Sequence, residues 1–174
     1  MDEHKKNLCK LGIVIVVSCS LVLWSSALSA EASQIEPSVP IAFKSYAMNA
    51  FVYNPKSLQW TAVNDSGKVV RTGRGSAGRS YCPDIRRSCR TPTGTYHVLS
   101  KGSAGCRSSR YPVGKGGAPM PYCMFFSKYY AIHGSYDVPN RNASHGCIRV
   151  KPEDAKWLSH QFIEVGTKVV VKPY

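Results

Sequence analysis

Beyond residue 45 the apolar residues come in short runs, broken every few positions by Gly, Pro, Asn or Asp. That punctuation limits the chain to a fold built mainly of β-strands. Segments 47–53 and 58–63 read as strands joined by a turn at Asn54-Pro55-Lys56-Ser57. Asn64-Asp65-Ser66-Gly67 then turns into a third strand at 68–71, giving an antiparallel meander. Segments 95–99, 124–132 and 165–172 have the same β character. Residues 100–121 form a long stretch rich in Gly, Ser and Pro, the kind of connection that is usually functional. Only 152–162 has helical spacing: Pro152 suits the first turn, Glu153 and Asp154 complement the helix dipole, and Ala155, Leu158 and Phe162 share a face. Lys151 is a poor cap for it. There is no internal repeat, and the expectation is a single domain, mainly β with one or two helices.

Residues 1–32 are of a different kind. Lys5, Lys6 and Lys10 precede an uncharged, largely apolar run from Leu11 to Leu28, and Ala30-Glu31-Ala32 offers a small-x-small cleavage site. This predicts a signal peptide over 1–32, a linker with Pro37 and Pro40 over 33–44, and one domain over 45–174. The apolar run of about 18 residues is at the lower limit for crossing a bilayer, so an uncleaved anchor is an alternative. Val16-Val17-Ser18-Cys19 loosely resembles a lipobox, which makes a lipoprotein signal another. Each reading places the domain outside the cytosol, in the periplasm or cell envelope. Membrane contact is expected only if the segment stays uncleaved or becomes lipidated.

The chain carries 23 Lys+Arg against 10 Asp+Glu, a net charge of +13. The export segment holds three of each sign (Lys5, Lys6, Lys10; Asp2, Glu3, Glu31), so the excess belongs to the domain. Such a surface favours acidic surroundings. Export and the absence of a recognisable nucleic-acid module point to an acidic wall polymer and exclude nucleic acid as the expected partner.

Five cysteines follow the export segment: Cys82, Cys89, Cys106, Cys123 and Cys147. An odd count in an oxidising compartment suggests two disulfides and one free thiol. Local pairing would join Cys82 to Cys89 and Cys106 to Cys123, although four cysteines allow three connectivities. The cysteine left over is Cys147, and it stands in the most chemically dense part of the chain. His133-Gly134 precedes Ser144-His145-Gly146-Cys147-Ile148-Arg149. A thiol becomes nucleophilic beside a histidine that takes its proton and later returns it to a leaving amine. A glycine beside the thiol permits a tight turn, which can aim backbone N–H groups at an oxyanion. Neighbourhood in sequence leaves His145 open as the base as well as His133.

Ala131-Ile132-His133-Gly134 followed by Ser144-His145-Gly146-Cys147-Ile148-Arg149 resembles the signature of the L,D-transpeptidases, the YkuD-type catalytic domain. Thr91-Pro92-Thr93-Gly94-Thr95-Tyr96 resembles a second element of that family, and Glu153-Asp154-Ala155 resembles the start of the helix after its catalytic loop. The resemblance covers roughly 45–172. It implies a YkuD-like mixed β-sandwich and peptidoglycan chemistry without a cofactor or metal. In that family a cysteine attacks the amide between the third and fourth residues of a tetrapeptide stem, D-alanine leaves, and the acyl group passes to an amine.

Carried onto this chain, the resemblance makes Cys147 the nucleophile and His133 the proton donor and acceptor. The Gly134 carbonyl would orient His133, and the N–H groups of His145, Gly146 and Cys147 would form the oxyanion hole. Arg149 and Ser144 would contact substrate. It further implies acylation of Cys147 by carbapenems, with stem peptides and a wall-attached lipoprotein as candidate partners. The gap between His133 and Ser144 is on the short side for the family, and the segments around Cys82–Cys89 and Cys106–Cys123 look like additions. Three other readings stand beside this one. The same thiol could serve an L,D-carboxypeptidase or endopeptidase with water as acceptor. A non-catalytic, disulfide-stapled wall-binding module would leave Cys147 inert or paired. A zinc site from His133, His145 and Cys147 would lack an evident fourth ligand.

Overall fold

The computed structural model describes residues 49–174. The expected signal peptide, the linker and the first residues of the domain lie outside the described residues. Strands β1 (Ala50–Asn54), β2 (Gln59–Val63) and β3 (Val69–Ser76) form the expected antiparallel meander. β3 extends well past the four residues that the sequence marks. Its later half carries Gly73 and Gly75, which hide the strand pattern but let aromatic rings lie against the backbone. A Cβ on Gly73 would stand 2.6 Å from the Trp60 ring, and one on Gly75 2.7 Å from that of Tyr53.

β3 also joins the two halves of the sheet. Gln59 to Val63 of β2 pair with its first part, whereas Gly75 and Ser76 pair with β8 (Ile148–Val150). On one side β9 (Lys168–Val171) lies parallel to β1 and antiparallel to β4 (Gly94–His97). On the other, β7 (Ala131–Gly134) runs parallel to β8, followed by β6 (Met124–Phe125) and β5 (Ser100–Lys101). Among the described residues nine strands make one curled sheet in the order β4-β9-β1-β2-β3-β8-β7-β6-β5. The single strand expected over 124–132 is therefore two. Phe126 N–H donates to the Tyr130 carbonyl at 3.0 Å, and the polar Ser127-Lys128 pair occupies the turn.

The helix α1 (Pro152–Trp157) passes into a π-type turn over Leu158–Phe162, together covering the span that the sequence predicts. Lys151 makes no side-chain cap. Ala155, Leu158 and Phe162 enter the main core with Phe51, Tyr53, Trp60, Ile132 and Ile148. Asp154 is buried too, 2.7 Å from the Arg71 guanidinium, which lies 4.9 Å over the Trp157 ring. α1 is thereby tied to β3 while it packs behind β7. The result is the expected mainly β domain with one helix.

Candidate active site

The parallel pairing of β7 with β8 sets His133 opposite Arg149 and Ile132 opposite Ile148. Side chains alternate along a strand, so Ile132, Ile148 and Val150 face the core, where all three are fully buried. His133, Arg149 and Cys147, two residues before Arg149, face the other way. All three line one cavity of about 320 Å³. The sheet register thus brings together residues that the chain holds 14 positions apart (147 − 133 = 14).

His133 Nδ1 lies 2.8 Å from the Gly134 carbonyl oxygen. A carbonyl only accepts, so Nδ1 carries the proton and Nε2 is the unprotonated nitrogen of the neutral ring. Burial pulls the imidazole pKa down to about 4. The Gly134 hydrogen bond opposes that shift and the Arg149 charge adds to it. Cys147 is the free cysteine among the described residues; the other four pair as Cys82–Cys89 and Cys106–Cys123. Burial pushes the Cys147 thiol up, against a backbone hydrogen bond at Ala131 and the Arg149 charge. At neutral pH the site therefore holds a neutral thiol and a neutral imidazole.

The turn before the thiol is held from several sides. Ser144 N–H donates to the Ala77 carbonyl at 2.9 Å, and Arg79 N–H donates to the Ser144 carbonyl at 3.0 Å. The Ser144 hydroxyl donates to the Cys147 carbonyl (2.5 Å) and accepts the Gly146 N–H (3.0 Å). Ser144, expected to contact substrate, is 2% exposed and uses its hydroxyl inside the turn. The Gly146 N–H, expected in the oxyanion hole, is engaged by that same hydroxyl. Among the described residues the N–H groups of His145 and Cys147 have no hydrogen-bond partner. Gly146 has φ +127° and lies under the Tyr130 ring, where a Cβ would approach to 2.5 Å, so only glycine fits.

The His145 side chain is engaged by other partners. Its Nε2 pairs with Asp84 Oδ2 at 2.8 Å, and its ring packs on Tyr111 with centroids 4.4 Å apart. The zinc set of His133, His145 and Cys147 is thus not assembled. Cys82, Asp84 and His145 do cluster, but the Cys82 sulfur is held in a disulfide and offers no thiolate. Arg149 reaches Asp137 Oδ2 at 2.6 Å on the cavity rim. Asp137 escapes sequence reasoning because an isolated acid in a loop carries no motif.

The long 100–121 segment folds on itself and walls the cavity. Gly102 N–H donates to the Cys123 carbonyl at 2.7 Å, and Met120 N–H to the Cys106 carbonyl at 2.9 Å. Met120, Cys123 and Ala131 form a small apolar cluster against which Cys147 packs. Arg107 and Arg110 from this segment, with Lys128 and Arg149, make the cavity cationic, against Asp137 as its acid. Arg110 and Lys128 both lie over the Tyr129 ring, at 4.8 and 5.3 Å. A second cavity of about 460 Å³ adjoins the first and shares Arg110, Tyr111, Tyr129 and His145 with it.

A family model of the YkuD L,D-transpeptidase catalytic domain matches residues 49–171. This chain belongs to that family. A probable L,D-transpeptidase of Escherichia coli K12, YbiS, is 32% identical over 82 residues, which are 45% of this chain and 26% of that protein. The L,D-transpeptidase of Xylanimonas cellulosilytica (its residues 123–326) superposes with a TM-score of 0.61 at 28% identity, over 74% of this chain and 62% of that one. L,D-transpeptidase 3 of Mycobacterium tuberculosis, solved with a faropenem-derived adduct, has the same fold: TM-score 0.59, 24% identity, 72% of this chain and 60% of that one. The chain thus spans about a quarter of the YbiS sequence and about three fifths of these solved chains.

Proposed function

We propose that the domain is a cysteine-dependent acyltransferase that cuts the L,D-amide of a peptidoglycan tetrapeptide stem, releases D-alanine and passes the acyl group to an amine. The observation that carries this reading is the free thiol of Cys147 on the same face of β7–β8 as the neutral His133 imidazole, in a cationic cavity. As the sulfur attacks the scissile carbonyl, its proton passes to His133 Nε2. The Gly134 carbonyl keeps the Nδ1 proton in place, which holds the imidazole in the tautomer that can accept. Because burial favours the neutral thiol, deprotonation accompanies attack and no standing ion pair is needed.

The oxyanion of the tetrahedral intermediate is held by the N–H groups of Cys147 and His145. The C–N bond then breaks, and the imidazolium returns its proton to the leaving amine of D-alanine. An acceptor amine attacks the thioester carbonyl, loses its proton to Nε2, and the departing sulfur recovers a proton from the imidazolium. Arg149 offers a planar fork for a substrate carboxylate once Asp137 yields it. The adjoining second cavity provides room for an acceptor stem. Two disulfides among the described residues suit an exported location, and stem peptides are the partners proposed.

Intact mass and product analysis test this reading. A carbapenem should add to the domain through Cys147, and a tetrapeptide stem should lose D-alanine; both should vanish in Cys147→Ser. An adduct that persists in Cys147→Ser overturns the nucleophile. Release of D-alanine with only hydrolysed product, even when an amine acceptor is abundant, would make the enzyme an L,D-carboxypeptidase.

A further inference from the structure

We infer that Thr91 is a positioning residue for this acyl transfer: its buried hydroxyl aims the Gly146–Cys147 peptide so that the Cys147 N–H faces the oxyanion. The inference rests on the proposed role of Cys147 as nucleophile. Thr91 is 1% exposed. Its Oγ1 accepts the N–H of Gly78 at 3.0 Å and lies 2.6 Å from the Gly146 carbonyl. A hydroxyl has one proton, and the Gly78 N–H brings its own, so the Thr91 proton is the one directed to Gly146.

That bond fixes a peptide plane. In a trans peptide the C=O and the following N–H point in opposite directions. Drawing the Gly146 carbonyl toward Thr91 and Gly78 turns the Cys147 N–H to the other side. Ser144, His145 and Cys147 line the cavity, whereas Thr91 and Gly78 do not. The Cys147 N–H is thereby directed to the cavity side, and it is one of the N–H groups left without a partner. Accepting a bond at its carbonyl also polarises the same peptide, which strengthens the N–H as a donor.

The hydroxyl is itself held in place. Thr91 N–H donates to the Tyr174 hydroxyl at 3.0 Å, and that hydroxyl donates to the Gly78 carbonyl at 3.1 Å. A Cβ on Gly78 would run into the Cys89 carbonyl, so only glycine lets the chain just after β3 pass close enough to be bonded. Pro92 biases Thr91 toward an extended conformation. The Thr-Pro-Thr-Gly stretch, 56 residues before the nucleophile (147 − 91 = 56), thus reaches the reacting peptide from behind.

The test compares two reactions of one thiol. Acylation by a carbapenem builds an oxyanion; alkylation by iodoacetamide does not. In Thr91→Val, which keeps the shape and loses the hydroxyl, acylation should slow on the order of 10- to 100-fold relative to alkylation, somewhat less than outright loss of an oxyanion donor. Thr91→Ser should restore the ratio to within a few-fold. Should Thr91→Val fail to fold, Thr91→Ala carries the same comparison without a hydroxyl, and its ratio should fall at least several-fold. An unchanged ratio in the variant that folds, or an equal fall in both rates, overturns the inference and leaves Thr91 as a packing residue. A carbapenem adduct that survives in Cys147→Ser would instead overturn the nucleophile assignment.

Discussion

Asp84 Oδ2 lies 2.8 Å from His145 Nε2, so the loop closed by Cys82–Cys89 grips the turn that carries the thiol. Cys89 N–H donates to the carbonyl of Arg79, just before that loop, and the Arg79 N–H donates to the Ser144 carbonyl at 3.0 Å. Closing so short a loop stabilises the fold by about 2–3 kcal/mol on chain-entropy grounds. Cys82→Ser/Cys89→Ser should lower the Tm by roughly 10 °C and slow acylation several-fold. A lower Tm with unchanged acylation would show that the loop stabilises the domain without positioning the turn.

His133 links stability to acid. Its folded pKa is depressed to about 4, below the unfolded value of about 6.5. As pH falls, the unfolded chain takes up the proton first, so this contribution is fully present above about 6.5 and is lost by about 4. Its size is about 3 kcal/mol. Melting curves from pH 7 to pH 4 should show this loss in the native protein and a shallower one in His133→Gln. Parallel curves would contradict the neutral, buried imidazole. The same variant should lose 10²- to 10⁴-fold in acylation rate, about what a general base contributes.

Burial holds Cys147 as a thiol, so alkylation by iodoacetamide, which needs thiolate, should be slow at pH 7 and keep rising into the alkaline range. A rate already level between pH 6 and pH 8 would reveal a standing thiolate–imidazolium pair in place of a neutral thiol and a neutral imidazole.

Arg149 and Asp137 make a rim pair in which Asp137 is 73% exposed and so easily displaced. Arg149→Lys keeps the charge but loses the fork, and should raise KM for a stem substrate about tenfold with little change in kcat. Asp137→Asn should lower KM a few-fold by freeing the guanidinium. Steady-state kinetics of both variants decide this; a raised KM in Asp137→Asn would mean that Asp137 itself contacts substrate.

Asn142 bonds three segments at once. Its Oδ1 accepts from the Tyr53 hydroxyl at 2.8 Å and the Ala77 N–H at 3.0 Å, and its Nδ2 donates to the Pro55 carbonyl at 3.0 Å. Asn142→Ala would leave buried partners unpaired, a loss of about 2–4 kcal/mol. Thermal melts should show it plainly; a Tm within a degree of the native value would disprove the bridging role.

The strands 50–54 and 59–63, the helix after Pro152 and the local pairing of Cys82 with Cys89 were all legible, because each depends on residues close in sequence. β3 was half hidden, since Gly73 and Gly75 look like loop residues until Trp60 and Tyr53 are seen lying against them. The hairpin that interrupts 124–132 is hidden because its turn is short and the polar Ser127-Lys128 pair is flanked by Phe125, Phe126, Tyr129 and Tyr130, which read as strand residues.

The amino-acid sequence by itself determined which groups can do chemistry. Cys147 is the odd cysteine, His133 stands before it, and the glycine beside the thiol allows a sharp turn. The tertiary structure alone decided what those groups face. The register of two parallel strands put His133, Cys147 and Arg149 on one side of the sheet, and the disulfide loop drew His145 off to Asp84. It also brought Thr91 behind the Gly146 peptide. The physical reason is that a residue's type sets its donors and protons, whereas sheet pairing and burial, which join distant parts of the chain, set their direction and charge.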